Sequence, residues 1–575
     1  MQHVVHLGDE DLALSGRRPS DLLVVEGTAM SVGKAASEIA AAAWDSAGIG
    51  SAASPRSTPM PISPRGRGVI FVAIMLGMLV AALAVTAVTT ALPTIAADLG
   101  GTGHHSWAVT SYLLSATSVI PLAGKLGDVF GRKRVLEATT TLFVVASVLC
   151  GAAQSMTMLV MCRALQGISG GVISVTVSAL ATEVAPLRHR GRYQGILGAV
   201  FGIATVTGPL VGGFFTDHVN WRWAFWVNVP VSLVILLVAA TAIPTLAPQP
   251  KPVIDYLGIF LVTVGATGLT MATSWGGTTY AWGSPVIIGL LVVSAVGLGV
   301  FVWVERRVAA PILPIRLFRS RTFSLCCILA FGVGFAMLGA LTVVPIYLRY
   351  VGGASATTSG LCLLPMLIGM LISSIGSGVA VSLTSRYKIF PVIGGALMAT
   401  AFLLMSQMDE STPLLLHSVY LVILGAGIGM SVQLLLLITQ NTTNFEDLGV
   451  ATSSVTFFRL IGSSFGAAIL ATLFANFLNR QLEPAMVSSG APIEVLRSLT
   501  SLQRIPPDIA ALVVQAYRDS LTQVFLCAGS VALLGFMLAC FLPEVPPTEI
   551  HTAPEAAATA PRGVRATSGA WRVCR

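Results

Sequence analysis

The sequence is short of charge. Only 10% of its 575 residues are Asp, Glu, Lys or Arg, where a soluble chain carries about a quarter. With 54% of the residues hydrophobic, the polar surface that a chain of this length would need in water is missing, so lipid is the expected solvent. No Asp or Glu falls in the middle of any long apolar run. The eight cysteines are scattered through apolar segments, except Cys574 near the end; they read as small packers, and no disulfide framework is expected. P-loop, His-Glu-x-x-His and nucleophile-elbow patterns are absent. His104, His105, His189, His218 and His417 are not paired at metal-ligand spacing. No enzyme activity, metal or cofactor is expected. Short alternating strands are also missing, which argues against a β-barrel. The net charge of +8 sits in short turns rather than in a stripe interleaved with aromatics. Anionic lipid headgroups, not nucleic acid, are its expected counterions.

What the sequence has in quantity is apolar runs. Fourteen follow one another between residues 69 and 542, each close to or above the ~20 residues that carry a helix across ~30 Å of hydrocarbon. The expected fold is all-α and integral to the membrane: two six-helix bundles related by a pseudo-two-fold axis, plus two linking spans. The bundles cover 69–243 and 322–542, the linker with its extra spans 244–321. Residues 1–68, rich in Ala, Ser and Pro, and residues 543–575 are expected to be disordered tails, the first with a short helix near 32–44. Basic residues collect on one set of loops: Lys125, Arg132, Lys133, Arg134, Arg188, Arg190, Arg192, Arg316, Arg386 and Lys388 among them. The opposite short loops offer Arg222 and Arg349. The first set should face the cytoplasm, with both termini there, and the plasma membrane is the expected location. The one long external connection, 478–518, is either a helical hairpin or lid or a solvated loop.

The stretch Gly124-Lys125-Leu126-Gly127-Asp128-Val129-Phe130-Gly131-Arg132-Lys133-Arg134 lies between two of these runs. Its glycines let helix ends approach closely. A carboxylate among cations and near helix termini makes a breakable clasp. A shift of 254 residues maps Gly124 onto Gly378, Arg132 onto Arg386 and Arg134 onto Lys388, while Asp128 becomes Ser382 and Gly131 becomes Ser385. Repeated halves around a central site are a common transporter plan.

Other polar and small residues stand out against the apolar background. Arg163 lies inside the fourth run, where an arginine is expensive and by default functional, although it is close enough to the external end to snorkel. Gly198, Gly202, Gly208 and Gly212 permit close helix packing, and Pro209, before Gly212 and Gly213, bends that helix. Trp221, Trp223 and Trp226 look like an interfacial aromatic belt. Gln433, Gln440 and Asn441 put amides at the end of span twelve. Arg459 is the only charge in span thirteen, there either to line a cavity or to brace the cytoplasmic half.

Over 69–542 the chain resembles a major facilitator superfamily transporter of the fourteen-span drug:proton antiporter type. The resemblance implies that Gly124, Asp128, Gly131, Arg132, Lys133 and Arg134 form a cytoplasmic gate. It also implies a proton-transfer role for Arg163, and an exporter-type packing motif in Gly198, Gly202, Gly208, Pro209, Gly212 and Gly213. Where relatives carry a proton-binding acid in the first span, this chain has Ala84, and Thr89 replaces the usual Asn. Coupling to protons would then fall to Glu183, Asp217 or a site near Arg163. The expected function is export of small amphiphiles by alternating access, by a monomer, with Gln433, Gln440, Asn441 and Arg459 as cavity candidates. A cavity with Arg and amides but no carboxylate suits neutral or anionic amphiphiles better than lipophilic cations. A dedicated exporter of one endogenous lipid or metabolite is the alternative, and a non-transporting receptor or scaffold on the same fold is another.

Overall fold

The computed structural model describes residues 64–544, with breaks at 101–106, 187–188, 245–254, 278, 309–310, 353–355, 410–411 and 490–506. The tails expected at 1–68 and 543–575, and the helix at 32–44, lie outside the described residues except at their inner ends. The first helix begins at Pro64, ahead of the apolar run.

Apolar side chains without water force every backbone group to bond within its own segment, which only helices achieve here. Helices α1 (Pro64–Leu99), α2 (Trp107–Phe130), α3 (Arg132–Gly151), α4 (Met156–Val184) and α5 (Arg190–His218) come first. A sixth crossing follows, split into α6 (Trp223–Trp226) and α7 (Asn228–Ala242). The linking pair is α8 (Tyr256–Trp275) and α9 (Pro285–Glu305). The second set comprises α10 (Arg321–Tyr350), the short α11 (Ala356–Leu361), α12 (Leu364–Thr384), α13 (Ile389–Met405), α14 (Leu414–Thr442), α15 (Leu448–Ser489) and α16 (Pro507–Cys540). Among the described residues, thirteen crossings are long and apolar enough to span a membrane. The fourteenth expected span, α13, has 17 residues and so reaches only about 25 Å.

Helix starts are set by short side chains. Ser155, Asp255, Ser284 and Ser320 each accept the N–H three residues on, which satisfies an otherwise orphaned donor. Packing then sorts the helices. In the first set α1 lies on α4 and α5, and α2 on α4; in the second, α10 lies on α15, and α12 and α13 on α14. The two sets meet along two seams, α2 against α15 and α5 against α12. The 254-residue shift relates α2 to α12, so each seam contains one of the two related turns. The linking pair lies across the first seam. On one side Ser118 bonds Thr267 at 2.7 Å and Trp107 meets Trp275 edge to face. On the other, Trp282 donates to Thr472 at 2.7 Å.

Two features differ from the simplest expectations. The described parts of connection 478–518 are helical, because α15 runs on to Ser489 and α16 starts at Pro507. Leu478, Leu482, Val513 and Ala516 are buried together there, and Tyr517 stacks on Tyr350 at 4.1 Å; residues 490–506 lie outside the described residues. The tryptophan cluster does more than anchor at an interface. Trp223 is exposed, but Trp221 is buried and donates to Asp98 at 2.9 Å, beside the Arg222–Asp98 ion pair at 3.0 Å. The Trp221 hydrogen bond and then Arg222 hold the Asp98 carboxyl below its usual range. This ties the outer end of α1 to the start of α6.

The related turns both contain a residue of positive φ. Gly131 has φ 86°, and its counterpart Ser385 has φ 57°, the one positive φ at a non-glycine among the described residues. A left-handed serine costs about 1 kcal/mol that glycine would not incur. Ser385→Gly is therefore expected to raise the apparent melting temperature of the purified protein, and Gly131→Ala to lower it. Opposite signs at the two turns are the outcome to look for in a thermal unfolding assay.

Candidate functional site

The basic end of the molecule, where the loops bearing Arg132–Arg134, Arg190, Arg192 and Arg386 gather, is held shut by contacts between the two helix sets. Asp128, on the last turn of α2, accepts the Gly449 N–H on one carboxylate oxygen and the Val450 N–H on the other, both at 3.2 Å. These are orphan donors at the positive N-terminus of α15, where a carboxylate is favoured. Arg132 turns back across Gly131 to Asp128 at 2.9 Å and also binds Glu183 of α4. A Cβ at Gly124 would strike the Gly449 carbonyl, and one at Gly449 would come within 2.6 Å of the Asp128 carboxylate. Lys133 donates to the Ala240 carbonyl at 3.1 Å, tying α3 to α7, and Arg134 is exposed.

The second seam repeats this arrangement with a weaker group. Gly378 sits against Gly191 with no room for a Cβ, and the Ser382 hydroxyl accepts the Arg192 N–H at 3.0 Å. A hydroxyl thus caps α5 where a carboxylate caps α15. The sequence comparison of the two halves registered Ser382 as a lost acid; the structure shows it still capping.

Behind these turns lies a layer of amides and hydroxyls. The Gln440 side-chain oxygen accepts from Thr182 at 2.7 Å and from Gln194 at 3.0 Å, and its nitrogen donates to Thr452 at 2.9 Å. Arg190 donates to Asn441 at 3.0 Å. Gln440 and Asn441 therefore do not line the cavity for which they were candidates. They lie at the basic end of α14, within its last three residues, and polar groups of α4 and α5 hold them in the seal. Thr182 and Gln194 were missed in the sequence, although a hydroxyl and an amide at helix positions facing the other half were the available signal.

Above this seal is a cavity of about 250 Å³ between the two sets. Its walls are mostly apolar, with Met78, Val85 and Leu113 on one side and Met337, Leu341 and Leu436 on the other. Gln433 and Arg459 line it, and no lining residue is acidic. On α5, Gly198 leaves the space that Gln433 and Ser374 fill, and Gly202 faces Leu371. The lower part of the same motif works within its own set: Gly208 and Gly212 admit Thr86 and the Ala87 carbonyl of α1, and Thr90 donates to the Pro209 carbonyl at 3.3 Å. Gly213 has open space around it.

The three coupling candidates are not brought together. Arg163 is fully buried rather than snorkelling. It donates to the carbonyls of Ala108 and Ala84, both at 2.9 Å, and to Gln166 at 2.7 Å, with the Tyr112 ring 4.4 Å from its guanidinium carbon. The Ala84 carbonyl, at the position where the family resemblance implies an acid, is thus taken by Arg163. Glu183 belongs to the Arg132 clasp, and Asp217 is exposed at the far end of α5. Removing Arg163 would orphan two buried carbonyls, so Arg163→Gln is expected to destabilise the fold by on the order of 3 kcal/mol. Arg163→Lys should restore only part of this, since an ammonium lacks the planar fork. Equal melting temperatures for wild type and both variants would remove this bracing role.

Comparison with known proteins fits this geometry. Residues 74–467 match the family model described as Major Facilitator Superfamily. An uncharacterized MFS-type transporter of Mycobacterium tuberculosis is 64% identical over 490 residues, covering 85% of this chain and 71% of that protein. The Bacillus subtilis multidrug transporter protein MdtP is 35% identical, covering 83% and 93%; multidrug resistance protein 3 of the same organism is 34% identical, covering 80% and 92%. Among solved structures, the proton:xylose symporter XylE aligns with a TM-score of 0.56 at 13% identity, covering 85% of this chain and 98% of that one. The low identity makes this a likeness of fold alone. A multi-pass helical chain with paired gate-like turns, a central cavity and these relatives belongs to the Major Facilitator Superfamily of membrane transporters.

Proposed function

We propose that the chain is an exporter of small amphiphilic compounds, working by alternating access in the plasma membrane with its basic end in the cytoplasm. One observation carries the reading: an apolar cavity lies between two helix sets whose crossing hydrogen bonds cluster on its basic side. Such a cavity is exposed to opposite sides in turn if the seal breaks and a second one forms at the other end. The excess of Arg and Lys at the sealed end supports a cytoplasmic position for it, and on that reading the described state is one closed to the cell interior. Relatives named as multidrug transporters and an efflux pump support the direction. The Gly198–Gly213 motif supports it too, because its glycines let α5 reach both α1 and the opposite set.

Energy coupling belongs to the same proposal. With no acid among the cavity's lining residues, a proton would act at the seal. Glu183 and Asp128 share Arg132 there, and neutralising either carboxylate would weaken the clasp. The remaining candidate, Asp217, is at the exposed outer end, away from the seal.

Everted membrane vesicles offer the test. Uptake of a fluorescent amphiphile into the vesicles is expected with the wild type once the lumen is acidified, and is expected to stop when a protonophore is added. Gly198→Val, which forces a side chain into the space of Gln433 and Ser374, should reduce uptake roughly tenfold or more by disfavouring the sealed state. Uptake that ignores both pH and voltage would remove proton coupling and leave export standing. No vectorial uptake at all would remove export.

A further inference from the structure

Arg163 and Arg459 both lie inside membrane-spanning helices, and they are treated differently. Arg163 is held by two carbonyls, an amide and two aromatic rings, with only its Nη2 left without a partner. Arg459, the twelfth of the 42 residues of α15, makes no hydrogen bond or ion pair with any described residue. Its one recorded neighbour interaction is with the Phe201 ring, whose centroid lies 5.7 Å from the guanidinium carbon. The head group lines the cavity, and an intramembrane cation without an anion is costly.

Two further groups lining the same cavity are also unsatisfied. Ser463 is one helical turn on, on the same face of α15, and its buried hydroxyl has no partner. This is unusual in its own helix, where Thr452, Ser453, Ser454 and Thr456 each donate to a carbonyl of the preceding turn. Gln433 of α14 is 4% exposed, and its side-chain oxygen is buried without a donor. Its amide offers two N–H donors when turned over. A guanidinium, a hydroxyl and an amide thus line one cavity, with no carboxylate among its lining residues to neutralise them. Opposite them, Val85 and Leu113 supply an apolar wall.

We propose that this cluster is an anion-head subsite: the transported compound carries a carboxylate or sulfonate that docks on Arg459, Ser463 and Gln433, while its apolar body lies against the first helix set. The inference rests on the exporter reading and narrows its substrate class. Charge-assisted bonds to a guanidinium are about twice as strong as neutral ones and are strengthened further by low dielectric. A cavity of about 250 Å³ holds a small organic acid rather than a whole two-chain phospholipid.

The test uses the full-length protein in phosphatidylcholine nanodiscs and three probes with one aromatic body: 1-naphthylacetate, 1-naphthylacetamide and (1-naphthylmethyl)trimethylammonium. Calorimetric binding is expected to favour the acetate over the other two by about tenfold or more. Arg459→Gln should abolish that preference while leaving the melting temperature near the wild-type value, and Arg459→Lys should keep part of it. Adding phosphatidylglycerol to the nanodiscs separates sources: unchanged acetate affinity supports the small-acid site, and its loss to the anionic lipid overturns that assignment. Equal binding of the three probes to the wild type, or preference for the ammonium, overturns the proposal whether or not the variants fold. The exporter reading has its own readout: loading the probes into proteoliposomes and finding the ammonium carried would keep export and discard the anion subsite. Acetate bound but never moved would keep the subsite and discard export.

Discussion

The closed state depends on a carboxylate placed at the end of a helix that belongs to the other half of the molecule. Asp128 satisfies two N–H groups at the start of α15 and in the same position holds Arg132, which in turn holds Glu183. Orphan donors at a helix start need an acceptor, and a buried arginine needs anions. One acid answers both, so the two helix sets cannot part at this end without uncovering several charged and polar groups together. The glycines at 124 and 449 are what bring the backbones close enough for this. The second seam shows the same geometry with Ser382 as the cap, so the closed end has one strong joint and one weak one.

Much of this was legible in the sequence because lipid leaves few choices. Long apolar runs can only be helices, and a cluster of bases between two of them marks a turn at the membrane surface. The repeat relating Gly124 to Gly378 correctly paired the two seams, down to the matching positive φ at Gly131 and Ser385. Less legible was which polar residues share a space. Gln433 and Gln440 are seven apart on one helix, two turns along nearly the same face, yet one lines the cavity and the other is locked in the seal. Nothing local distinguishes them; the difference is depth along the seam, set by Thr182 and Gln194 on helices far away in sequence. The depth of Arg163 was equally hidden, because its partners Ala84 and Ala108 contribute only backbone carbonyls, which leave no mark in side-chain patterns.

The missing acid at position 84 has a structural counterpart. The backbone carbonyl of Ala84 bonds Arg163 directly, so the site that would pair an arginine with a carboxylate is instead a neutral brace. The unbalanced positive charge is at Arg459, on the opposite side of the cavity. The linking pair α8–α9, bonded to both sets across one seam, adds a mechanical constraint: rearrangement there must either carry α8 along or break the Trp282–Thr472 and Ser118–Thr267 contacts.

The central claim is that the Asp128 clasp holds the basic end closed. The most direct test is the distance across that end, measured by pulsed electron paramagnetic resonance between spin labels at the exposed positions Arg134 and Arg386 in a cysteine-free background. The account expects a short distance to dominate in the otherwise unaltered protein, and Asp128→Ala to shift most of the population to a longer one, since several kcal/mol of charge-assisted bonding are lost. An unchanged distance distribution in Asp128→Ala would contradict it.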